Sequence, residues 1–219
     1  MTIRCPNLCA LLLAVCLFFS ASATSAKAAS AQLILVVGDS VAAGYGLPPE
    51  QSFPAVLQTM LSQSGHAVEV INAGVSGDTT AEGLARLPKL FPPYSQRRPD
   101  LLILQLGAND GIQGKDLTQV EANLEAMLAL AHKHGAQLLL AGSHGGSRRS
   151  EEYREAFAGI YRRLAQKHGA VLYPVLGAGV FGNPEYIQQD GAHPNKAGAR
   201  LIAKNLYPLV VELLGKVQQ

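Results

Sequence analysis

The sequence predicts an α/β domain built on a five-stranded parallel sheet with helices on both faces. Five short apolar runs resemble strands buried in parallel sheets, and amphipathic helical patterns lie between them. With 219 residues and no internal repeat, the chain suits one domain better than two. Apolar residues make up 48% and charged residues 16%, which excludes disorder, collagen-like structure and coiled coil.

The five predicted strands are runs of apolar, often branched residues, which suit strands covered on both faces. They occupy residues 32–37, 68–71, 101–106, 137–141 and 170–175. Because the five runs alternate with helical segments, they predict βα units and therefore a parallel sheet.

The predicted helices are segments in which apolar residues recur at spacings of three and four. They cover residues 53–61, 84–90, 117–131, 153–164 and 201–214. Gly65, Gly135 and Gly169 each stand where a helix should stop before the next strand. Five such units in a row imply a doubly wound sheet, whose functional residues gather at the carboxyl ends of the strands.

Residues 1–28 are predicted to be a secretory signal peptide. The apolar run at residues 8–19 is shorter than the roughly 20 residues that span a bilayer. Ala26-Lys27-Ala28 fits the small-x-small pattern of a cleavage site. We therefore expect a single mature domain over residues 29–219 that is periplasmic or secreted and has no stable membrane insertion. An uncleaved membrane anchor is one alternative, and a lipoprotein modified at Cys16 is a weaker one, because Val15 stands where a small residue is wanted.

The composition limits the kinds of partner, metal and cofactor that the chain is expected to bind. The net charge is +2, no basic block exceeds two residues and tryptophan is absent, so a nucleic-acid partner is not expected. Cys5, Cys9 and Cys16 all lie in the predicted signal peptide, which leaves the mature chain without a thiol. His132 and His134 end a helical pattern without acidic partners at ligand spacing, so no metal site is predicted. We expect a monomer that acts on a small molecule without a cofactor.

Four polar, glycine-rich clusters stand at predicted strand ends or just before the last helix. They are residues 38–40, 74–79, 107–111 and 190–195. Because the carboxyl ends of parallel strands meet at one edge of the sheet, we expect these clusters to converge. Their glycines allow backbone N–H groups to approach a ligand closely.

Ser40, Asp190 and His193 supply the parts of an activated serine nucleophile. A serine hydroxyl needs a base to remove its proton, and a histidine can do this near neutral pH. Asp190 stands three residues before His193, so its carboxylate can bind one ring nitrogen and leave the other facing Ser40. The Ser40 N–H, the Gly77 N–H and the Asn109 side-chain amide are candidate donors to the oxyanion.

These clusters resemble, in order, the four blocks of the SGNH (GDSL-type) hydrolases. The residues that match the family's four letters are Ser40, Gly77, Asn109 and His193. The resemblance is closer to the branch of periplasmic acyl-CoA thioesterase I/lysophospholipases and arylesterases, through residues 75–80, 83–88 and 190–195. It implies a flavodoxin-like three-layer α/β/α sandwich and a metal-free serine mechanism.

The resemblance implies a secreted serine esterase or thioesterase that hydrolyses aryl esters, acyl-CoA or lysophospholipid through an acyl-enzyme. A carbohydrate O-acetylesterase of the same family is the alternative, because its chemistry is identical. Taken alone, Ser40 could instead cap the following helix, and Asn109 could be a turn residue. A non-catalytic flavodoxin-like binding module is disfavoured because no Gly-x-Gly-x-x-Gly follows the first strand.

Residues 142–149 depart from the family pattern. They contain glycine, serine, His144, Arg148 and Arg149, where related thioesterases carry an apolar, proline-containing segment that helps form the acyl groove. Burying a methylene contributes about 0.8 kcal/mol, which this polar loop cannot supply along a long chain. We therefore expect a preference for short or compact acyl groups. The two arginines fit either a site for an anionic head group or a solvated approach to a helix.

Overall fold

A computed structural model describes residues 31–92 and 96–217, together with Thr2. The proposed signal peptide at residues 1–28 lies, apart from Thr2, outside these described residues. The strands are β1 (Gln32–Gly38), β2 (Val68–Gly74), β3 (Leu101–Gln105), β4 (Gln137–Ala141) and β5 (Val171–Tyr173).

The predicted five-stranded parallel sheet is confirmed. Its strand order is β2-β1-β3-β4-β5, and every pair of neighbours is parallel. The chain winds from β1 to β2 on one side and then crosses to β3 on the other, so the direction of winding reverses between β1 and β3. In open α/β sheets, the crevice at the carboxyl ends of such strands is where ligands bind.

Seven α-helices connect and cover the strands in the described part of the chain. They are α1 (Ser40–Ala43), α2 (Phe53–Gln63), α3 (Thr80–Arg86), α4 (Ala108–Gln113), α5 (Leu117–Lys133), α6 (Glu151–His168) and α7 (Lys196–Val217). Short 3-10 helices occupy Pro49–Gln51 and Leu87–Leu90. Of the helices in residues 31–92 and 96–217, none is long and apolar enough to cross a membrane.

The predicted bounds of several elements differ from the structure, and three of these differences have a local cause. The helix predicted over residues 84–90 is interrupted, because Pro88 has no N–H to continue the α-helical pattern. Strand β5 ends at Tyr173, one residue before Pro174, which cannot donate to the ladder. Helix α7 begins earlier than predicted because the Asn195 side chain accepts hydrogen bonds from the N–H groups of Ala197 and Gly198.

Alternate side chains of β1 face the two helical layers. Ile34 and Val36 pack into a core with α2 and α7, whereas Leu35 and Val37 pack into a core with α5 and α6. Each fully buried aliphatic side chain contributes about 1.5–3 kcal/mol relative to an exposed one. The two cores therefore fix the central strand, and with it the position of the residues that follow its carboxyl end.

Candidate active site

Ser40 is the first residue of α1 and follows the carboxyl end of β1. The cap of this helix is Asp39, whose carboxylate accepts a hydrogen bond from the Val41 N–H at 3.0 Å. The capping role considered for Ser40 is therefore filled by its neighbour. Asp39 is 1% exposed, and burial raises the pKa of its carboxyl group.

The structure brings His193 between Ser40 and Asp190. The Nε2 atom of His193 lies 3.0 Å from the Ser40 Oγ, and its Nδ1 lies 2.7 Å from the Asp190 Oδ2. An imidazole held between a hydroxyl and a carboxylate can take the hydroxyl proton while the carboxylate fixes its tautomer and orientation. The structure therefore brings together the three residues that the sequence analysis names as candidates for nucleophile, base and orienting carboxylate.

Asp190 is held by its own loop. Its Oδ1 accepts hydrogen bonds from the N–H groups of Ala192 at 2.9 Å and His193 at 3.0 Å. These bonds lower the pKa of Asp190 from 3.8 to about 2, and the bond from the His193 N–H has the largest effect. Because the folded-state pKa is lowered, the ionised carboxylate stabilises the fold above its ordinary pKa, and this contribution is lost as the pH falls towards 2.

The proposed oxyanion donors come from the ends of three adjacent strands. Asn109 lies in the first turn of α4, after β3, and its Nδ2 donates to the Asp78 carbonyl at 2.8 Å. This bond places the amide against the loop that carries Gly77, whose φ of +92° favours glycine. The amide retains a second N–H. The N–H groups of Ser40 and Gly77 have no acceptor among the described residues.

Arg86 joins the Gly77 loop to the end of β1, a role that the sequence analysis missed. Its Nε pairs with the Asp78 Oδ2 at 2.6 Å, and its Nη2 donates to the Gly38 carbonyl at 3.1 Å. The side chain of Asp78 is only 8% exposed, so the pair is shielded from solvent on that side. Arg86 lies in residues 83–88, one of the blocks that resemble the family branch. This resemblance is the sequence signal that could have indicated its role.

A buried polar network fixes α3 relative to α4. Asp110 accepts hydrogen bonds from the Thr80 N–H at 2.9 Å and the Thr80 Oγ1 at 2.6 Å. The Thr80 hydroxyl accepts in turn from the Asn123 Nδ2 at 3.1 Å. All three side chains are buried. Since α3 follows Gly77 and α4 carries Asn109, the network fixes these two segments relative to each other.

Replacing Asp110 with alanine is expected to lower the free energy of unfolding by about 3 kcal/mol, because a charged acceptor is removed from two buried donors. Denaturation by urea measures the change. The matched control is Asp116→Ala: this exposed aspartate caps α5 through the Gln119 N–H, and its loss should cost only about 1 kcal/mol. Equal losses in the two variants would contradict the structural role assigned to the buried network.

The loop at residues 142–149 is docked on α4. The Arg149 guanidinium donates from Nε to the Gly111 carbonyl at 2.9 Å and from Nη2 to the Ile112 carbonyl at 2.6 Å. Gly145 is buried against Gly111, where a Cβ on Gly111 would lie 2.3 Å from the Gly145 Cα. Arg149 therefore binds backbone carbonyls at the end of the helix that carries Asn109, whereas Arg148 is exposed.

Apart from His193, no described histidine lines the depression beside Ser40. His144 lines a separate cleft of about 330 Å³ beside α6, together with Arg154 and Arg162. His134 is the C-cap of α5, and His132 stands in its last turn. Across residues 31–92 and 96–217, no three His, Cys, Asp or Glu side chains form a group that could hold a metal ion.

Comparison with known proteins decides the family. Residues 36–201 match the model of the GDSL-like Lipase/Acylhydrolase family. The chain belongs to this family. The family is the one that the four sequence clusters resemble. Three of the clusters follow the carboxyl ends of β1, β2 and β3, and the fourth precedes α7 and reaches Ser40 through His193.

Three relatives in this family of acyl hydrolases align with most of the chain. Esterase TesA of Pseudomonas aeruginosa is 38% identical, over 94% of this chain and 99% of its own. An arylesterase of Vibrio mimicus is 38% identical, over 88% and 94%. Thioesterase 1/protease 1/lysophospholipase L1 of Escherichia coli K12 is 36% identical, over 84% and 88%.

A crystal structure of TesA superposes on the fold with a TM-score of 0.78 at 38% identity, covering 83% of this chain and 99% of that one. The architecture of this chain is therefore that of a solved member of the family. None of the three relatives is named for a carbohydrate substrate, so the comparisons do not favour the alternative of a carbohydrate O-acetylesterase.

Proposed function

We propose that the chain is a serine hydrolase that cleaves carboxylic esters and thioesters through an acyl-enzyme on Ser40. The observation that supports this most strongly is the chain of contacts from the Ser40 Oγ to the His193 Nε2 and from the His193 Nδ1 to the Asp190 Oδ2. These contacts join two parts of the sequence 153 residues apart, at the edge where functional residues of open α/β sheets gather.

In the proposed acylation step, the Ser40 Oγ attacks the acyl carbon as its proton passes to the His193 Nε2. The electron pair of the carbonyl moves to its oxygen, and Asp190 balances the charge of the imidazolium. His193 then gives the proton to the leaving alcohol or thiol, which departs as the carbonyl re-forms. In the second half of the cycle a water molecule attacks the acyl-enzyme by the same route and releases the acid and Ser40.

The proposed oxyanion hole consists of the Ser40 N–H, the Gly77 N–H and the side-chain amide of Asn109. Preorganised donors of this kind stabilise the negative charge that develops in the transition state without reorganising during the reaction. Two features support the assignment: the bond from Asn109 to the Asp78 carbonyl, and the Arg86 side chain, which pairs with Asp78 and donates to the Gly38 carbonyl at the end of β1. These contacts connect the three segments that carry the proposed donors.

A fluorophosphonate probe tests the proposed nucleophile, because such probes phosphonylate an activated serine and lose their fluoride. Mass spectrometry of the digested protein should find the adduct on the peptide that contains Ser40. The Ser40→Ala variant should stay unlabelled, and Ser76→Ala, which replaces a serine in the Gly77 loop, should label normally. Labelling of a different serine, or of none, would refute the assignment.

The proposed substrates are aryl esters, acyl-CoA and lysophospholipids, the classes indicated by the family branch and by the names of its relatives. The depression beside Ser40, lined by Val41, Leu47 and Ile202, encloses no space large enough for a water molecule. Val75 and Ile112, near Gly77 and Asn109 in sequence, are 44% and 65% exposed. An acyl chain that contacts them would remain partly in solvent.

We therefore expect a preference for short or compact acyl groups, since a chain exposed on one side gains only part of the roughly 0.8 kcal/mol per buried methylene. The docked polar loop at residues 142–149 supports the same expectation. The measurement is kcat/KM for acetyl, butyryl, octanoyl and palmitoyl esters of one leaving group, below micellar concentrations. A rise of about tenfold or more, which is about 1.4 kcal/mol, from butyryl to palmitoyl would contradict the expectation.

We propose that the mature protein is periplasmic or secreted, following cleavage after Ala28 or nearby. The short apolar run and the small residues that follow it support this location. N-terminal sequencing of the exported protein is expected to begin near residue 29. Recovery of exported protein that still begins with Met1 would instead support an uncleaved anchor.

A further inference from the structure

Tyr45 places an aromatic ring beside the proposed base, where the proposed mechanism gives it no role. It follows Gly44, whose φ of +75° turns the chain after α1. Tyr45 is 53% exposed, yet its ring centroid lies 4.5 Å from that of His193, with 38° between the ring planes. The Tyr45 N–H also donates to the Ser40 carbonyl at 3.0 Å. Tyr45 therefore contacts both the backbone of Ser40 and the ring of His193.

Hydrogen bonds from Gln188 join the segment that contains Tyr45 to the loop that carries His193. The side-chain Nε2 of Gln188 donates to the Tyr45 carbonyl at 2.7 Å and to the Pro194 carbonyl at 2.9 Å. Its backbone N–H donates to the His193 carbonyl at 2.8 Å. Gly46 leaves the space for this contact, since a Cβ there would lie 2.3 Å from the Gln188 Oε1. Because Tyr45 and Gln188 are 143 residues apart, the bond joins the two halves of the site.

We propose that Tyr45 is a positioning residue for His193 and that Gln188 holds it in place, an inference that rests on the proposed role of His193 as general base. The ring restricts the orientations of the imidazole and so keeps Nε2 directed at the Ser40 Oγ. When Nε2 receives the serine proton, the imidazole becomes a cation. An aromatic ring within about 6 Å stabilises such a cation through its quadrupole.

This contribution is distinct from that of Asp190. The carboxylate binds Nδ1 at 2.7 Å and fixes the tautomer, whereas Tyr45 packs against the ring itself. A side chain that only bound substrate would change KM. A positioning residue acts on the transition state, so its loss should lower kcat and leave KM nearly unchanged.

The test compares kcat and KM for a p-nitrophenyl ester in four variants. Tyr45→Leu, which removes the ring but keeps an apolar side chain, is expected to lower kcat about tenfold with little change in KM. Tyr45→Phe should restore most of the kcat that Tyr45→Leu loses. Gln188→Ala should lower kcat in the same direction. The control is Gln189→Ala, which replaces the exposed neighbour of Gln188 and should leave kcat unchanged.

Fluorophosphonate labelling of each folded variant separates failure of this inference from failure of the proposed function. If wild-type Ser40 is not labelled, the proposed function fails. If Ser40 is labelled but Tyr45→Leu keeps the wild-type kcat, or changes only KM, the inference is overturned. Thermal melting establishes that each variant is folded. If Tyr45→Leu does not fold, the kcat of Gln188→Ala is the test of the inference. A wild-type kcat in that variant overturns it.

Discussion

Replacing Ser40 with alanine is expected to lower kcat by about a million-fold, as loss of the nucleophile does in other serine hydrolases. The Oγ is the atom that bonds to the acyl carbon, and no neighbouring group replaces it in the proposed mechanism. Stability should change little, because the helix cap is the Asp39 carboxylate and not the Ser40 hydroxyl. The measurement is kcat on a p-nitrophenyl ester, with thermal melting as the check on folding.

His193→Ala should lower kcat by a similar factor, and the Ser40→Ala/His193→Ala double variant should be hardly worse than either single variant. The two residues act as a unit, so removing the second after the first removes nothing further. Additive losses in kcat would show that Ser40 and His193 act independently. Activity that survives Ser40→Ala would mean that another group is the nucleophile.

Replacing Asn109 with alanine is expected to cost about 2.7–4 kcal/mol of transition-state stabilisation, which is a loss of about 10²–10³-fold in kcat. Its Nδ2 is the side-chain donor proposed for the oxyanion, and the charge on that oxygen is present only in the transition state. The effect on KM should therefore be small. Steady-state kinetics on one ester separates kcat from KM.

The matched control is Gln113→Ala, which alters an exposed residue of the same helix α4 and should leave kcat unchanged. Denaturation by urea should be recorded for Asn109→Ala as well, since the side chain also donates to the Asp78 carbonyl. An Asn109→Ala variant that is folded and keeps the wild-type kcat would remove Asn109 from the oxyanion hole.

The sheet was predictable because each central strand is buried on both faces and therefore appears as an apolar run. Leu101–Gln105 is such a strand, with every residue buried. The site clusters were predictable because parallel strands carry their functional residues at one edge. The boundaries that differed depended on single residues, such as Pro174 and Asn195, whose effect on the backbone is local and leaves the apolar pattern unchanged.

The contacts between distant segments could not be predicted in the same way. Gln188 binds the Tyr45 carbonyl, and Arg149 binds the carbonyls of Gly111 and Ile112. A side chain that binds a backbone carbonyl leaves no periodic pattern in the sequence, because every residue at the receiving end carries a carbonyl. For this reason the sequence left two interpretations of Arg149 open, and its contact with α4 could be identified only from the structure.

Trapping the acyl-enzyme tests the central claim most directly. The wild-type protein would be mixed with excess p-nitrophenyl butyrate, quenched in acid within the first turnover, digested and examined by mass spectrometry. The account predicts a butyryl adduct on the peptide that contains Ser40, formed together with a burst of p-nitrophenol of equal stoichiometry. A butyryl adduct on a different residue, or turnover of the ester without any covalent adduct, would contradict it.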